Sequence, residues 1–292
     1  MTRKFPGVCI DYGHGGEIDG KYQNPSSKQY TFTDHGDLFI GEGITNRMTA
    51  VRLIALALAA GVRVWDCVAQ KEWTTIPGSW RDLEQQNVGL STRTRYANTA
   101  CPKALYLSIH SNAIGNSLKG PSQNARGVCF FTSPGKTFSD TIATAVHKAF
   151  ERAFADEPVY TRRGDWSDGD VDHEANFHVL RETKSSAVLG EVLFFTNIHD
   201  ARYLLSSEGQ DVIAQAYWDG LEEFLEATRE PVGRDLPECC YAPSTAEPAH
   251  RAYAAYNRAG ENKGLNYQGK PCPTWDELPE DIRVKWRAAV ET

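Results

Sequence analysis

The sequence predicts an α/β fold in which one mostly parallel, twisted sheet is flanked by helices. Segments typical of strands alternate along the chain with segments typical of helices, and that alternation favours a parallel, buried sheet. The length of 292 residues suits one large α/β domain with a small appendage. Hydrophobic residues make up 41% of the chain, including 12 Phe, 12 Tyr and 7 Trp, which is enough for a packed core. This composition excludes a disordered, collagen-like or coiled-coil protein.

The first two predicted strands flank a helix. Residues 8–12 form a short β-rich run that ends in a glycine-rich stretch, which is typical of a strand followed by a tight turn. Residues 17–39 are polar and predict a long loop, and loops of that length are usually functional or inserted. Apolar residues at helical spacing predict a helix over 44–60, and residues 62–65 predict the second strand.

Three further strands and three further helices follow a second loop, which contains Trp73 and Trp80. The strands are short β-rich runs, and the last of them contains one acidic residue among apolar neighbours. The helices are predicted from the spacing of their apolar residues. In chain order, these elements are a helix over 91–100, strands over 104–109 and 127–132, a helix over 139–154, a strand over 186–194 and a helix over 211–228.

Composition divides the chain into three parts. Residues 1–229 contain every predicted strand and form the main α/β domain. Four prolines fall within residues 230–248, which indicates a Pro-rich linker. Residues 249–292 predict a small, aromatic-rich helical module that is too short for a large core of its own.

Charge, hydropathy and cysteine usage exclude several classes of function. The net charge of −7 argues against a protein that grips nucleic acid through an overall basic field. No apolar run approaches the roughly 20 residues that cross a bilayer, and no secretory signal is recognisable, so we expect synthesis in the cytoplasm and no membrane insertion. Seven cysteines without a CxxC pair favour buried thiols over a disulfide framework or a cysteine zinc site.

Four side chains form the candidate site. His14 follows the first predicted strand, His110 follows the third, Glu191 lies late in the fifth, and Glu42 precedes the first helix. Ligands of open parallel sheets bind beyond the carboxyl ends of the strands. Two imidazoles and one carboxylate suit a catalytic zinc ion, and a further carboxylate suits proton transfer.

Each of these residues also has a simpler interpretation when it is taken alone. A histidine at a strand end is most often a hydrogen-bonded structural residue, and an acid such as Glu42 is favoured by the dipole at a helix N-terminus. Glu191 differs because it lies among apolar residues, where a carboxylate is costly unless it is paired, protonated or functional.

Taken in order, these residues belong to motifs that resemble one known family. The similarity spans about residues 7–227, and the motifs stand in the family's order. They resemble those of the zinc-dependent N-acetylmuramoyl-L-alanine amidases of the type-3 family, including phage endolysins. The motifs are IDYGHGG at 10–16, EGITN at 42–46, LSTRTRYAN at 90–98, LSIHSN at 107–112, FHVLR at 177–181 and EVLFFTN at 191–197.

The resemblance implies a set of site residues and a substrate. It implies one zinc ion per chain, held by His14, Glu42 and His110, with Glu191 as the catalytic acid and base. The implied reaction is hydrolysis of the amide between N-acetylmuramic acid and L-alanine in bacterial peptidoglycan. Further substrate contacts are expected from Arg181, His178 and Asn112, while His35 and Asp37 remain alternatives to Glu42 as a ligand.

Without a signal segment, the expected role is that of a phage or prophage endolysin, made in the bacterial cytoplasm and acting on the cell wall after its release. Two alternatives remain open: a catalytically silent wall-binding protein on the same fold, and a different zinc peptidase or deacylase. The aromatic residues of the C-terminal module either bind wall polymer or form a small core. The sequence predicts no oligomeric state.

Overall fold

The computed structural model describes residues 4–116, 120–121, 125–155 and 163–232, together with residue 283. The module predicted over 249–292 and most of the linker predicted over 230–248 lie outside the described residues. Backbone hydrogen bonds still join the start of this linker to the main domain, because the Val232 amide donates to the Leu58 carbonyl at 3.2 Å.

The central sheet has seven strands, and its order is β12-β11-β13-β8-β1-β6-β7. Six further strands pair in three separate two-stranded sheets. The sheet strands are β1 Gly7–Tyr12, β6 Arg63–Asp66, β7 Lys71–Trp73, β8 Leu105–Asn112, β11 Val128–Thr132, β12 His173–Glu174 and β13 Ala187–Phe194. The remaining strands are β2 Glu17–Ile18, β3 Lys21–Tyr22, β4 Gln29–Phe32, β5 Leu38–Gly41, β9 Gly115–Asn116 and β10 Gly120–Pro121.

The predicted fold is confirmed, since most strand pairs in the central sheet are parallel. Strand β1 pairs in parallel with both β6 and β8, and β8 pairs in parallel with β13. Only β7 on β6 and β11 on β13 run antiparallel within this sheet. The register of β8 against β13 places Glu191 directly beside His110.

Six α-helices accompany the described strands, and α6 packs against both α1 and α3. Buried apolar side chains from these helices and from the strands of the central sheet form one core. No helix in the described part of the chain is both long and apolar enough to cross a membrane. The helices are α1 Glu42–Ala59, α2 Leu90–Ala100, α3 Phe138–Ala153, α4 His178–Glu182, α5 Ile198–Leu205 and α6 Ser207–Leu221.

The last predicted helix, over 211–228, is wrong at both ends. Helix α6 begins at Ser207, because the Ser206 hydroxyl accepts a hydrogen bond from the Gly209 amide and caps it. The α-helix ends at Leu221, a 3-10 turn follows over Glu222–Phe224, and Leu225 then forms an isolated bridge with Phe5. Extended pairing with the start of the chain therefore replaces the helix predicted over residues 225–228.

The two predicted loops contain more regular structure than expected. Residues 17–39, predicted as a loop, fold into the hairpins β2–β3 and β4–β5, which we call the twin-hairpin insert, Glu17–Gly41. Trp73 lies in β7 and is buried, and its indole nitrogen donates to Asp66. Strands of two to four residues cannot be predicted from periodicity, because they are too short to show alternation.

Candidate metal centre

Three side chains from separate elements meet beyond the carboxyl end of β1. His14 follows β1, Glu42 is the first residue of α1, and His110 lies in β8. Oε1 of Glu42 is 3.1 Å from Nε2 of His14 and 2.9 Å from Nδ1 of His110. Each residue offers one ligand atom, and these three atoms lie within 4.8 Å of one another. The spacing allows the three to share a single ion.

One carboxylate oxygen beside this cluster has no partner among the described residues. Within the described part of the chain, Oε2 of Glu191 is buried and makes no hydrogen bond, whereas Nε2 of His14 and Oε2 of Glu42 are buried with only the ion-pair contacts to Glu42 and Lys28. Buried side-chain nitrogens and oxygens are nearly always hydrogen-bonded, and a catalytic role or a site for an ion or water is among the explanations of an exception. The donor set of two imidazoles and one carboxylate fits a zinc ion that keeps a position open for chemistry.

Two buried arginines fix the backbone of His14. Its φ angle of 67° is left-handed, which is uncommon for a residue with a side chain. Nη2 of Arg47 donates to the His14 carbonyl at 3.1 Å, and Nη2 of Arg93 contacts the same oxygen at 3.5 Å. Arg93 is itself held by Asp11 at 2.6 Å. These contacts stabilise the turn that points His14 toward the cluster.

The electrostatic environment differs between the two imidazoles. Burial lowers the pKa of His14, against the opposing hydrogen bond to Glu42, so this ring is held in the neutral form that binds metal. Burial acts in the same direction on His110, but the hydrogen bond to Glu42 outweighs it and raises the pKa of His110. For Glu42, burial opposes ionisation, yet the hydrogen bonds from His110 and His14 bring its pKa well below the usual range. A metal ion bound by these residues would replace the proton that lies between His110 and Glu42.

Glu191 lies beside the three candidate ligands as a separate carboxyl group. Burial raises the pKa of Glu191 to about 7; the charge of nearby His110 opposes this shift, and that of Glu42 adds to it. Just beyond Glu191, the pairing of β13 with β8 changes register, and Leu193 takes a left-handed φ of 62°. Bulges of this kind often reorient side chains beside active sites.

The structure separates Glu42 from the other candidate ligands. In the described part of the chain, His14, Glu42 and His110 are the only group of metal-ligating side chains close enough to share an ion. His35 and Asp37 lie in the twin-hairpin insert and are not brought to the two imidazoles. These two residues are therefore not placed to replace Glu42 as a ligand.

The predicted substrate contacts have different surroundings. Asn112 is the last residue of β8, two positions beyond His110, and its side-chain oxygen accepts the Ala113 amide. His178 lies 3.3 Å from the Thr94 hydroxyl. Arg181 is exposed and pairs with Glu182 at 2.8 Å. Their predicted role in substrate binding stays a prediction.

Sequence reasoning missed two cations beside the site. Lys28 in the twin-hairpin insert lies 3.2 Å from Oε2 of Glu42, and no motif singles it out. Arg47 directly follows the EGITN motif in α1 and is fully buried. The sequence did offer one indication of Arg47, because it is a charged residue at a position of the helix that is buried.

The His110 ring occupies the space that a side chain at position 13 would need, and this contact can be tested by substitution. A β-carbon on Gly13 would lie 2.0 Å from Cε1 of His110, far inside van der Waals contact. We therefore expect Gly13→Ala to displace the His110 ring and to lower zinc affinity at least tenfold, as measured by chelator competition. Gly89→Ala is the matched control, because a β-carbon there meets no atom within 4 Å. Equal zinc affinity in the two variants would contradict the prediction that a side chain at position 13 displaces His110.

A parallel α/β sheet with a His–Glu–His cluster and a further carboxylate at one edge is typical of hydrolytic enzymes that use a divalent metal. The class that the fold and the site define is therefore that of hydrolytic enzymes with an α/β fold and a candidate metal centre. The family model described as N-acetylmuramoyl-L-alanine amidase, Amidase_3, matches residues 8–223. The chain belongs to this family, and the predicted class of enzyme is confirmed.

Two similar proteins are also named as N-acetylmuramoyl-L-alanine amidases. The chain is 28% identical over 216 residues to the sporulation-specific N-acetylmuramoyl-L-alanine amidase of Bacillus subtilis, covering 74% of this chain and 67% of that protein. It is 29% identical over 215 residues to the N-acetylmuramoyl-L-alanine amidase CwlM of Bacillus licheniformis, covering 73% and 66%. The matched region spans between 35% and 67% of the curated relatives' lengths.

Two solved structures show the same fold. The catalytic domain of CwlV, an N-acetylmuramoyl-L-alanine amidase from Bacillus (Paenibacillus) polymyxa var. colistinus, superposes with a TM-score of 0.53 at 24% identity, over 74% of this chain and 96% of that one. The amidase Ami1 from Mycobacterium smegmatis superposes with a TM-score of 0.54 at 18% identity, over 77% and 98%.

Proposed function

We propose that the chain hydrolyses the amide between the lactyl group of N-acetylmuramic acid and L-alanine in peptidoglycan, with zinc held by His14, Glu42 and His110. One observation carries the proposal: the three ligand atoms lie within 4.8 Å of one another, and Glu191 lies beside them on the adjacent strand. Membership of the amidase family and the names of the relatives support this substrate class.

Zinc bound by these three residues supplies Lewis-acid activation of water and of the amide carbonyl. Glu191 then takes up the proton of the attacking water, and Oε2, which has no partner within the described chain, is available to receive it. The same carboxyl group returns that proton to the nitrogen of L-alanine as the amide bond breaks. Amines leave poorly without a proton, so the reaction requires such a group.

The surroundings of Glu191 suit both halves of this proton transfer. Burial raises its pKa to about 7, so the carboxyl group gains and loses a proton near neutral pH. A general base is most effective when its pKa lies close to the pH of the reaction. A divalent cation held by His14, Glu42 and His110 would lower this pKa, and Glu191 would then be ionised before water attacks.

Product analysis tests the substrate directly. Purified peptidoglycan is digested with the full chain, and the new termini are identified by mass spectrometry and amine labelling. We expect free L-alanine amines and intact glycan chains, and no such products from Glu191→Gln. New reducing sugar ends, or a cut within the stem peptide, would contradict the proposed bond. Tight binding without any cleavage would indicate a silent wall-binding protein.

We further propose that the chain acts on the wall after release from the bacterial cytoplasm, as a phage or prophage endolysin. Residues 1–229 would then be the catalytic domain, and residues 249–292 a separate module. Expression in a bacterial cytoplasm should leave growth unaffected until the membrane is permeabilised, and turbidity should then fall. Lysis without permeabilisation would contradict this role.

A further inference from the structure

We propose that Lys28 is a positioning residue that holds one carboxylate oxygen of Glu42, so that only the other oxygen is presented to the metal. The inference rests on the proposed function, because it concerns the same site. It assigns a role to the twin-hairpin insert, which the motifs of the family leave unexplained.

The two oxygens of Glu42 face different partners. Oε1 lies within 3.1 Å of both imidazoles, whereas Oε2 lies 3.2 Å from Nζ of Lys28. Glu42 is 1% exposed, and Lys28 is 36% exposed. A buried carboxylate needs a compensating charge, and Lys28 provides it on the side away from the histidines.

Tyr22 ties the backbone of Lys28 to the start of α1. Its hydroxyl donates to the Lys28 carbonyl at 2.9 Å and accepts the Gly43 amide at 2.8 Å. The Tyr22 ring also lies against Gly41, where a β-carbon would come within 2.9 Å of it. Gly41 and Gly43 flank Glu42, so the insert holds the backbone of Lys28 in a fixed place relative to that carboxylate.

The division of the two oxygens has a chemical consequence. A carboxylate is able to bind a divalent cation through one oxygen or through both. A catalytic zinc site has three protein ligands and keeps its fourth position for water or substrate. By retaining Oε2, Lys28 prevents Glu42 from taking up that position. Outer partners of metal ligands typically contribute about 10–100-fold to affinity or activity.

Cobalt substitution tests this role without relying on turnover alone. Zinc in the full chain is replaced by Co²⁺, whose visible absorption is intense with four ligands and weaker with five or six. We expect Lys28→Met to weaken these bands and to lower kcat by about 10–100-fold. Lys28→Arg should restore both, because its guanidinium also holds a carboxylate oxygen. Lys21→Met is the matched control, because Lys21 is exposed in the same insert.

The outcomes separate this inference from the proposed function. A wild-type spectrum in Lys28→Met overturns the positioning role, whether or not turnover falls. A fall in kcat with that unchanged spectrum would assign Lys28 to substrate contact instead. Wild-type chain that binds neither Co²⁺ nor zinc would overturn the proposed function and this inference together. Tyr22→Phe should shift the spectrum in the same direction as Lys28→Met, but less far.

Discussion

Replacement of Glu191 by Gln should lower kcat by about 10²–10⁴-fold, the usual contribution of a general acid or base. The substitution keeps the shape of the side chain but removes its ability to take up and return a proton. Zinc content should stay at about one ion per chain, because Glu191 is not among the three clustered ligands. Turnover, metal content and thermal unfolding are measured on the same preparations.

The pH profile gives this prediction a second readout. Burial raises the pKa of Glu191 to about 7, and a bound divalent cation lowers it. The base must be ionised, so kcat/KM of the wild-type chain should rise with pH through an acidic limb at or below pH 7. Glu191→Gln should lack this limb. Near-normal turnover, or an unchanged limb, would contradict the assigned role.

Removal of the metal should have an effect of similar size. Prolonged treatment with a chelator should abolish activity, and added zinc should restore it, because the proposed chemistry depends on the bound ion. His110→Ala should lose stoichiometric zinc and most activity, because this substitution removes one of the three ligand atoms. Elemental analysis and turnover are measured before and after dialysis.

The insert supplies the control for the histidine substitution. His35 lies outside the cluster, so His35→Ala should keep both zinc and activity. Full activity in the chelated protein would refute the proposed metal chemistry. Loss of zinc in His35→Ala, with retention in His110→Ala, would reassign the ligand set.

Many strands and helices of the main domain can be predicted from short apolar runs and from the glycines that end them. The runs at 8–12 and 104–109 predict β1 and β8, and the parallel pairing of these strands brings His14 and His110 to one edge. The helix over 44–60 was predicted within two residues of α1 at its start and one at its end. These elements are buried over most of their length, so their hydrophobic pattern is strong.

Contacts made between distant segments were not predictable in the same way. The interaction of Lys28 with Glu42 and the contacts of Arg47 and Arg93 with the His14 carbonyl join residues that are 14 to 79 positions apart. The early start of α6 depends on a serine cap, and its early end depends on pairing near Phe5. No local pattern encodes a partner at such a distance.

Sequence patterns were sufficient to predict the α/β class, the main strands in chain order and the four side chains of the candidate site. Those features are local, because each can be recognised from a run of apolar residues or from a short motif. The three-dimensional fold was needed to show that Glu42, rather than His35 or Asp37, meets the two histidines, and that Lys28 contacts its second oxygen. Strand register and the fold of the insert set these distances, and both depend on contacts made across the whole domain.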